Sequence, residues 1–397
     1  MDGPPRFVVQ SFAERYGSAQ EPRVFRAPGR VNLIGEHTDY NLGFVMPVAL
    51  DLACSTAVAP ASDGRFHVFS KNMEQAREWA IREIPEAQPA RDWSDYVMGV
   101  ARELVLAGYP VPPSNLLIYS TVPVGAGLSS SAAIEVSAAL ALLGGRPMEP
   151  IELAKLCRRA ENNFVGLPCG IMDQYISIFG REMAAVKIDC RSLEHEIVPL
   201  PEQAEFVAVN TMVKHELGSS AYRQRVAECA AAVAVIREKI PRVESLRDVS
   251  SEMLSGFQAV MKPVPMQRAR HVVGEDERVE AFVAASRAGE LKRMGALLAA
   301  SHRSLQKDYE VSCEELDFLV DTAVGLPGVY GARMTGGGFG GCTVNMVRPD
   351  DVLRFQAAIS EAYQSRFGLT PDIYPCRPSA GAGEVTASAG GSATHNA

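Results

Sequence analysis

The stretch Ala132 to Leu143 is apolar on nearly every side, interrupted only by Glu135 and Ser137. A helix with that pattern has no face to offer water and must be enclosed by other elements. Its flanks indicate how. Leu116 to Val122 reads as a β-rich run, and Gly144-Gly145 with Pro147 supplies the stop signals after the helix. Between strand and helix lies Pro123-Val124-Gly125-Ala126-Gly127-Leu128-Ser129-Ser130-Ser131-Ala132-Ala133. Glycines let a ligand approach the backbone, and a helix start offers unpaired N–H groups with partial positive charge, a combination that suits phosphate. Ser129, Ser130 and Ser131 add hydroxyl donors and a possible magnesium ligand. No Lys-Ser/Thr follows the last glycine, so this is not a Walker A loop. A capped helix behind a tight turn would use the same residues, and the loop alone does not separate the two readings.

A second glycine run, Gly336-Gly337-Gly338-Phe339-Gly340-Gly341, matches G-x-G-x-x-G in spelling. Nicotinamide binding would require a helix after it. Cys342 to Val347 is strand-like instead, so Gly328 to Val347 reads as a hairpin around a glycine loop, either plain structure or a wall of an active site. Arg65 to Ser70 and Phe206 to Val209 are further strand-like runs. Trp93, Val97, Val100, Ala101 and Leu104 recur at helical spacing. Long helices are expected from Ser219 to about Lys239, Glu290 to Tyr309 and Asp350 to Phe367. The order is irregular, which is α+β rather than a βαβ repeat. Pro199-Leu200-Pro201 punctuates the chain, giving an N-terminal lobe over 1–200 and a C-terminal lobe over 201–385, whose last strand can return to the first lobe. The Ala/Ser/Gly-rich segment 386–397 is expected to be a disordered tail.

Charged residues gather in three places. Arg30, Glu36, His37 and Asp39 lie in one glycine-punctuated stretch, where carboxylates would accept from paired hydroxyls. The same stretch also reads as a turn, Asp39 to Gly43, with Glu36 and Arg30 as a surface pair. Glu161 sits late in a helix from about Ile151 to Phe164, where an acid alone would be a solvated face. Asp173 follows the turn Gly166 to Gly170 and would ordinarily cap a helix.

Composition closes off other classes. A net charge of -8 argues against a nucleic-acid binder, since such domains carry a basic stripe. Eight cysteines without C-x-x-C spacing read as reduced thiols. Met1 to Gly17 holds Asp2, Arg6, Glu14 and Arg15 and no apolar core of a signal peptide, and no run reaches membrane-spanning length, so a cytoplasmic protein with no membrane partner is expected.

The segments Pro28-Gly29-Arg30-Val31-Asn32-Leu33, Gly125 to Ala132 and Gly336 to Cys342, in that order, resemble the three motifs of the GHMP kinase superfamily. The run Gly35-Glu36-His37-Thr38-Asp39-Tyr40, with Cys169 to Gln174 and Gly331 to Thr335, is similar to the galactokinase branch, over about Phe25 to Val385. That resemblance implies two mixed α/β lobes with ATP and galactose in the cleft between them and magnesium as cofactor. Transfer would go from ATP to the sugar's anomeric hydroxyl, giving galactose 1-phosphate in the first step of galactose catabolism. Asp173 would face the anomeric hydroxyl as base or orienting acceptor, with Arg30 stabilising the transferring phosphoryl charge. Glu36, His37, Asp39, Gly170 and Tyr222 would hold galactose. Gly125, Ala126, Gly127, Leu128, Ser129, Ser130 and Ser131 would cradle the triphosphate, Trp93 and Tyr96 would enclose adenine, and Ser131 and Glu161 would take magnesium. A monomer or weak homo-oligomer is expected. A kinase for another sugar such as N-acetylgalactosamine, or a sensor that binds without turnover, would share the fold. The retained Ser131-Ala132 step counts against the sensor.

Overall fold

The computed structural model describes residues 4–18, 21–214 and 218–386. The tail expected at its end therefore lies, from 387 on, outside the described residues, as does most of the loop between Lys214 and Gly218.

The N-terminal half begins with α1 (Pro4–Tyr16) and the strands β1 (Arg23–Ile34), β2 (Phe44–Pro60), β3 (Arg65–Ser70) and β4 (Gln75–Ala80). Then follow α2 (Asp95–Leu106), β5 (Ser114–Ser120), α3 (Ser130–Leu143), α4 (Pro150–Arg159), α5 (Met172–Phe179), β6 (Ala184–Asp189) and β7 (His195–Pro199). The second half holds β8 (Glu205–Lys214), α6 (Gly218–Lys239), α7 (Ser251–Ser255), α8 (Pro263–Arg287), α9 (Leu291–Ser304) and α10 (Glu314–Gly325). It closes with β9 (Val329–Thr335), β10 (Gly340–Val347), α11 (Val352–Phe367), β11 (Asp372–Pro375) and β12 (Gly383–Val385).

Two sheets carry these elements. The first runs β12-β1-β2-β5-β3-β4, with β6 and β7 extending from β2; β3 and β5 are parallel, making it mixed. The second, β11-β8-β10-β9, is antiparallel throughout. β12 pairs with β1, so the end of the chain returns to the first sheet. Helix α3 is enclosed as its composition demands, with Ala132, Ala133, Val136, Ala138 and Ala139 fully buried against β1 and β2.

The largest apolar cluster draws on both halves of the chain: it runs from Val31, Leu33 and Val136 through Val279, Phe282 and Met294 to Val344. Two helices carry it across: α9 and the 25-residue α8, which is missing from the sequence expectations. Its Val279, Phe282 and Val283 enter the core shared with the first sheet, while Met266, Ala269 and Val272 enter a separate cluster with α6. The helix carrying Glu161 also differs from expectation: α4 ends at Arg159 and the chain continues as a π turn over Ala160–Val165. Among the described residues, no helix is long and apolar enough to cross a membrane. All eight cysteines are free, and Cys54, Cys157, Cys190, Cys229, Cys342 and Cys376 are buried.

Candidate active site

The site is built around an irregularity in β1. Register with β2 shifts between Pro28 and Arg30, a bulge of the kind that re-aims a side chain. Gly29 sits at that point because a Cβ there would meet the Leu128 carbonyl at 2.6 Å. The close approach lets the Arg30 N–H donate to the Leu128 carbonyl (3.0 Å), tying β1 to the glycine loop before α3.

Arg30 is buried and fully engaged. Its Nε and Nη2 donate to the two oxygens of Asp173 at 2.8 and 2.7 Å, and Nη1 donates to the Gly127 carbonyl at 2.7 Å. Such a two-pronged pair fixes orientation as well as charge. Burial opposes the Arg30 charge, but the nearby Asp173 and Glu36 carboxylates outweigh it and raise its pKa. Asp173 is the second residue of α5, and Ser129 Oγ donates to its Oδ2 at 2.5 Å. The hydroxyl that could have capped α3 is thus spent on Asp173.

The start of α3 consequently has no side-chain cap. Gly125 and Gly127 have φ of +79° and +76°, and Ser129 adopts the left-handed region at +60°. Gly125 and Gly127 are exposed, whereas the Ala126 and Leu128 side chains are buried anchors. The loop therefore offers backbone rather than side chains to a ligand, with Ser130 and Ser131 at the open helix end.

Two cavities flank that helix start. One, of about 120 Å³, is lined by Arg30, Glu36, His37, Asp39, Gly170 and Asp173 from the first half and by Tyr222, Gly336 and Gly337 from the second. The site is thus a cleft between the two halves. Glu36 Oε1 accepts from the Gly336 N–H (2.7 Å) and Thr335 Oγ1 (3.1 Å) beside the fully buried Arg333 guanidinium (3.3 Å). Gly170 presses on Asp39, since a Cβ would fall 1.6 Å from Asp39 Oδ2. Burial, with Asp173 and Glu36 nearby, pushes the Asp39 carboxyl up to about 6, against a hydrogen bond from the Tyr40 N–H and the Arg158 charge. His37 Nδ1 meets the Tyr40 hydroxyl at 2.9 Å, and its ring lies 4.8 Å from Tyr309 and 5.9 Å from Tyr222. Burial lowers the His37 pKa to about 3, so its imidazole is neutral. Glu36 and Arg30 are not the surface pair that their spacing allowed; both are interior.

The other cavity, about 140 Å³, is lined by Trp93, Tyr96, Ile118, Val122, Ser130 and Ser131, among others. Trp93 precedes α2 rather than standing on its apolar face, and its indole N–H donates to Gln75 Oε1 at 3.0 Å. Glu161 lies between the cavities, buried by the π turn rather than solvated on a helix face. Its Oε2 accepts from Gln174 Nε2 (2.7 Å) and the Cys169 thiol (3.2 Å), and the Ser131 hydroxyl reaches the same carboxylate. Burial and the Asp173 charge nevertheless raise its pKa, leaving a carboxylate short of positive charge. One buried carboxylate and one hydroxyl at an uncapped helix start are hard oxygens of the kind that magnesium takes when phosphates complete its shell. Among the described residues, no group of three or more His, Cys, Asp and Glu side chains is gathered for a metal.

Of the residues singled out from sequence, all but Glu161 line one of these cavities or belong to the loop between them, and Glu161 bonds to Cys169 beside one and Ser131 beside the other. Residues passed over include Arg333, Gln174, Tyr309, His271 and Glu275, all interior polar groups. The signal for the last two was charged residues at core spacing: Arg268, His271 and Glu275 stand on one face of α8.

Comparison with known proteins agrees with this arrangement. The family models that match are the galactokinase galactose-binding signature over residues 10–60, the N-terminal domain of GHMP kinases over 95–181, and their C-terminal domain over 281–365. The chain is 45% identical over 380 residues to a galactokinase of Roseiflexus sp. (strain RS-1), covering 95% of this chain and 96% of that one. It is 41% identical over 363 residues to the galactokinase of Homo sapiens, covering 89% and 91%. The crystal structure of Lactococcus lactis galactokinase complexed with galactose superposes with a TM-score of 0.90 at 35% identity, covering 96% of this chain and 99% of that one. The mevalonate kinase of Methanococcus jannaschii, at 18% identity and a TM-score of 0.65 over 91% and 100% of the two chains, shares the fold. The chain belongs to the galactokinase family of GHMP kinases.

Proposed function

We propose that this chain transfers the γ-phosphoryl group of ATP to the anomeric hydroxyl of D-galactose, giving galactose 1-phosphate and ADP. The observation that carries the reading is the two-pronged Arg30–Asp173 pair, placed where a cleft lined by Glu36, His37 and Asp39 lies beside an uncapped helix start. Galactose occupies the cavity bounded by Glu36, His37, Asp39, Gly170 and Tyr222. Carboxylates accept from its hydroxyls, and the neutral His37 ring, edged by Tyr40 and Tyr222, faces the same space.

Asp173 accepts the hydrogen of the anomeric hydroxyl and orients its oxygen toward the phosphate loop. The nucleophile's proton leaves toward the Asp173 carboxylate as its oxygen bonds to the γ-phosphorus and the bond from that phosphorus to the β,γ-bridging oxygen breaks, releasing ADP. Arg30 keeps that carboxylate in place and offsets the charge on the transferring phosphoryl group. Phosphoryl transfer depends chiefly on such positioning and electrostatics. The backbone of Gly125 to Ser129 and the start of α3 hold the triphosphate, with adenine between Trp93 and Tyr96. Ser131 and Glu161 would hold magnesium, which when bound neutralises phosphate charge.

The test is galactose-dependent ADP release by the full chain with ATP and magnesium, followed by a panel of sugars ranked by kcat/KM. Galactose is expected to lead the panel. Folded protein that releases no ADP with galactose would refute the proposal, and binding without turnover would make it a sensor.

A further inference from the structure

The loop from Gly35 to Phe44 carries Glu36, His37 and Asp39, yet its own backbone is poorly suited to the shape it holds. Gly35 has φ +91°, and His37 and Leu42 sit in the left-handed region at +62° and +59°. Non-glycine residues persist there only when their surroundings over-determine them. Within the loop, Thr38 Oγ1 bridges the Gly35 and Phe44 carbonyls, and Asn41 Nδ2 donates to the His37 carbonyl. From outside the loop, Asn32 Nδ2 donates to the Gly35 carbonyl and the Cys190 N–H to the Gly43 carbonyl, and one turn of α8 adds three more restraining side chains. Glu275 Oε1 accepts from the Gly35 N–H (3.0 Å) and the Glu36 N–H (3.4 Å), while His271 Nε2 lies 3.1 Å from the Glu36 carbonyl. At the other end of the loop, Asp276 Oδ1 accepts from the Phe44 N–H at 2.7 Å, and a Cβ on Gly43 would meet that same oxygen at 2.4 Å.

We propose that His271 and Glu275 are positioning residues for sugar recognition, clamping the Glu36 peptide from both sides so that its carboxylate points into the sugar cavity. This rests on the function proposed above. Both peptide groups of Glu36 are then spoken for by α8: its N–H by Glu275 and its C=O by His271. Only one tautomer serves. Nε2 must donate to the carbonyl, which leaves Nδ1 to accept from Ser304 Oγ (3.0 Å). Burial lowers the His271 pKa to about 4, so the ring is neutral and carries the single N–H this requires. Glu275 is held in turn: Ser301 Oγ donates to Oε1 at 2.6 Å and Arg278 Nε to Oε2 at 2.6 Å. Burial opposes its charge, but Arg278, His271 and Arg333 together hold its carboxyl well below the usual range. An ionised acceptor is the group best able to receive two backbone N–H bonds at once.

The clamp acts on the sugar side only. Within the loop His271 and Glu275 bond to Gly35 and Glu36, and among the described residues neither bonds to the Gly125–Ser131 loop or to a residue lining the Trp93 cavity. The expected signature is therefore a split between the two substrates. His271→Leu, which removes the donor, and Glu275→Gln, which replaces the ionised acceptor, should each raise the galactose KM about tenfold or more. The ATP KM should stay within about twofold. His271→Gln keeps an N–H near the position of Nε2 and should recover most of the loss. Hydrogen exchange should speed up in peptides covering 35–44 without a matching change in 125–143.

Galactose and ATP KM rising in parallel would overturn the clamp, as would folded variants with unchanged galactose KM or no recovery in His271→Gln. Should His271→Leu fail to fold, His271→Gln and Ser301→Ala, which only loosens Glu275, carry the same comparison. If the wild-type chain neither binds nor phosphorylates galactose, the proposed function fails first, and the clamp with it. Normal wild-type turnover with unaffected variants refutes the clamp alone.

Discussion

Replacing Gly170 by alanine perturbs the sugar cavity at one defined point. The added Cβ would lie 1.6 Å from Asp39 Oδ2, 2.5 Å from its Cγ and 3.1 Å from its Cβ. Ordinary contact starts near 3.4 Å, so the carboxylate must retreat by about 1.8 Å, the difference between 3.4 and 1.6 Å. Gly170 is not in the left-handed region, and the obstructing atoms belong to a side chain. The backbone therefore accepts alanine, and Asp39 turns aside. Asp39 would no longer accept from a galactose hydroxyl, and a hydrogen bond to a charged group is worth ~1.5–3 kcal/mol. The galactose KM should accordingly rise about 10- to 150-fold. The melting temperature should move by no more than about 4 °C, the shift ~1 kcal/mol produces in a large domain. The assay is coupled ADP release, varying galactose at saturating ATP and ATP at saturating galactose, alongside a thermal melt. A folded Gly170→Ala protein with a galactose KM within twofold of wild type would refute the placement of Asp39 against the sugar. A comparable rise in the ATP KM would show general disruption instead.

Three other outcomes follow from the same geometry. Asp173→Asn should lower kcat by about 10²–10⁴-fold, the range for a positioned proton acceptor, with nucleotide affinity preserved in calorimetry; near-normal kcat would remove Asp173 from the reaction. Asp39 titrates up at about 6 from the free side chain's 3.8, so ionising it opposes folding over that interval and its stabilising contribution is lost as pH rises through about 6. A sugar hydroxyl favours the ionised form. The galactose KM should thus climb as pH falls through about 6, and Asp39→Asn should flatten that profile; an unchanged slope in the variant assigns the titration elsewhere. Glu161→Gln and Ser131→Ala should each raise the magnesium concentration giving half-maximal rate, and weaken metal-dependent nucleotide binding in calorimetry; unchanged metal dependence would refute these two residues as ligands.

What could be read from the sequence was whatever local periodicity dictates. The apolar helix α3, the strand before it and the glycine loop between them follow from hydrophobic pattern and turn chemistry, and the structure encloses them accordingly. The resemblance to a family then gathered Arg30, Asp173 and Glu36, whose spacing alone favoured a surface pair for Arg30 and Glu36 and a helix cap for Asp173. Arg30 and Asp173 are 143 residues apart, and nothing local announces their ion pair. Glu161 was hidden for another reason. The Gly166 N–H bonds back to the Glu161 carbonyl, five residues earlier, and this wider turn swings the side chain off the solvated face that a regular helix would give it. α8 escaped because its interior face carries Arg268, His271 and Glu275, polar side chains that usually signal water. They are tolerated inside because each meets a charged or backbone partner.

The second glycine run shows why spelling and role diverge. Gly336 to Gly341 matches a dinucleotide-binding pattern, yet it leads into β10 and no helix start follows it. Its glycines are needed for approach: a Cβ at Gly338 would meet the Val311 carbonyl at 2.2 Å, and the Phe339 N–H donates to that same carbonyl at 2.8 Å. Held there, the loop reaches both ends of the site. The Gly336 N–H supports Glu36 at the sugar end, while the Cys342 thiol donates to the Ala126 carbonyl (2.9 Å) within the phosphate loop. Cys342 pairs with Thr335 across the hairpin, and Thr335 itself donates to Glu36. One hairpin of the second sheet therefore fixes the Glu36 carboxylate, proposed to receive the sugar, and the loop before α3, proposed to hold the triphosphate, to a common frame. A transfer that depends on aligning a hydroxyl with a phosphoryl group needs that shared support, because two ends held independently would drift relative to each other.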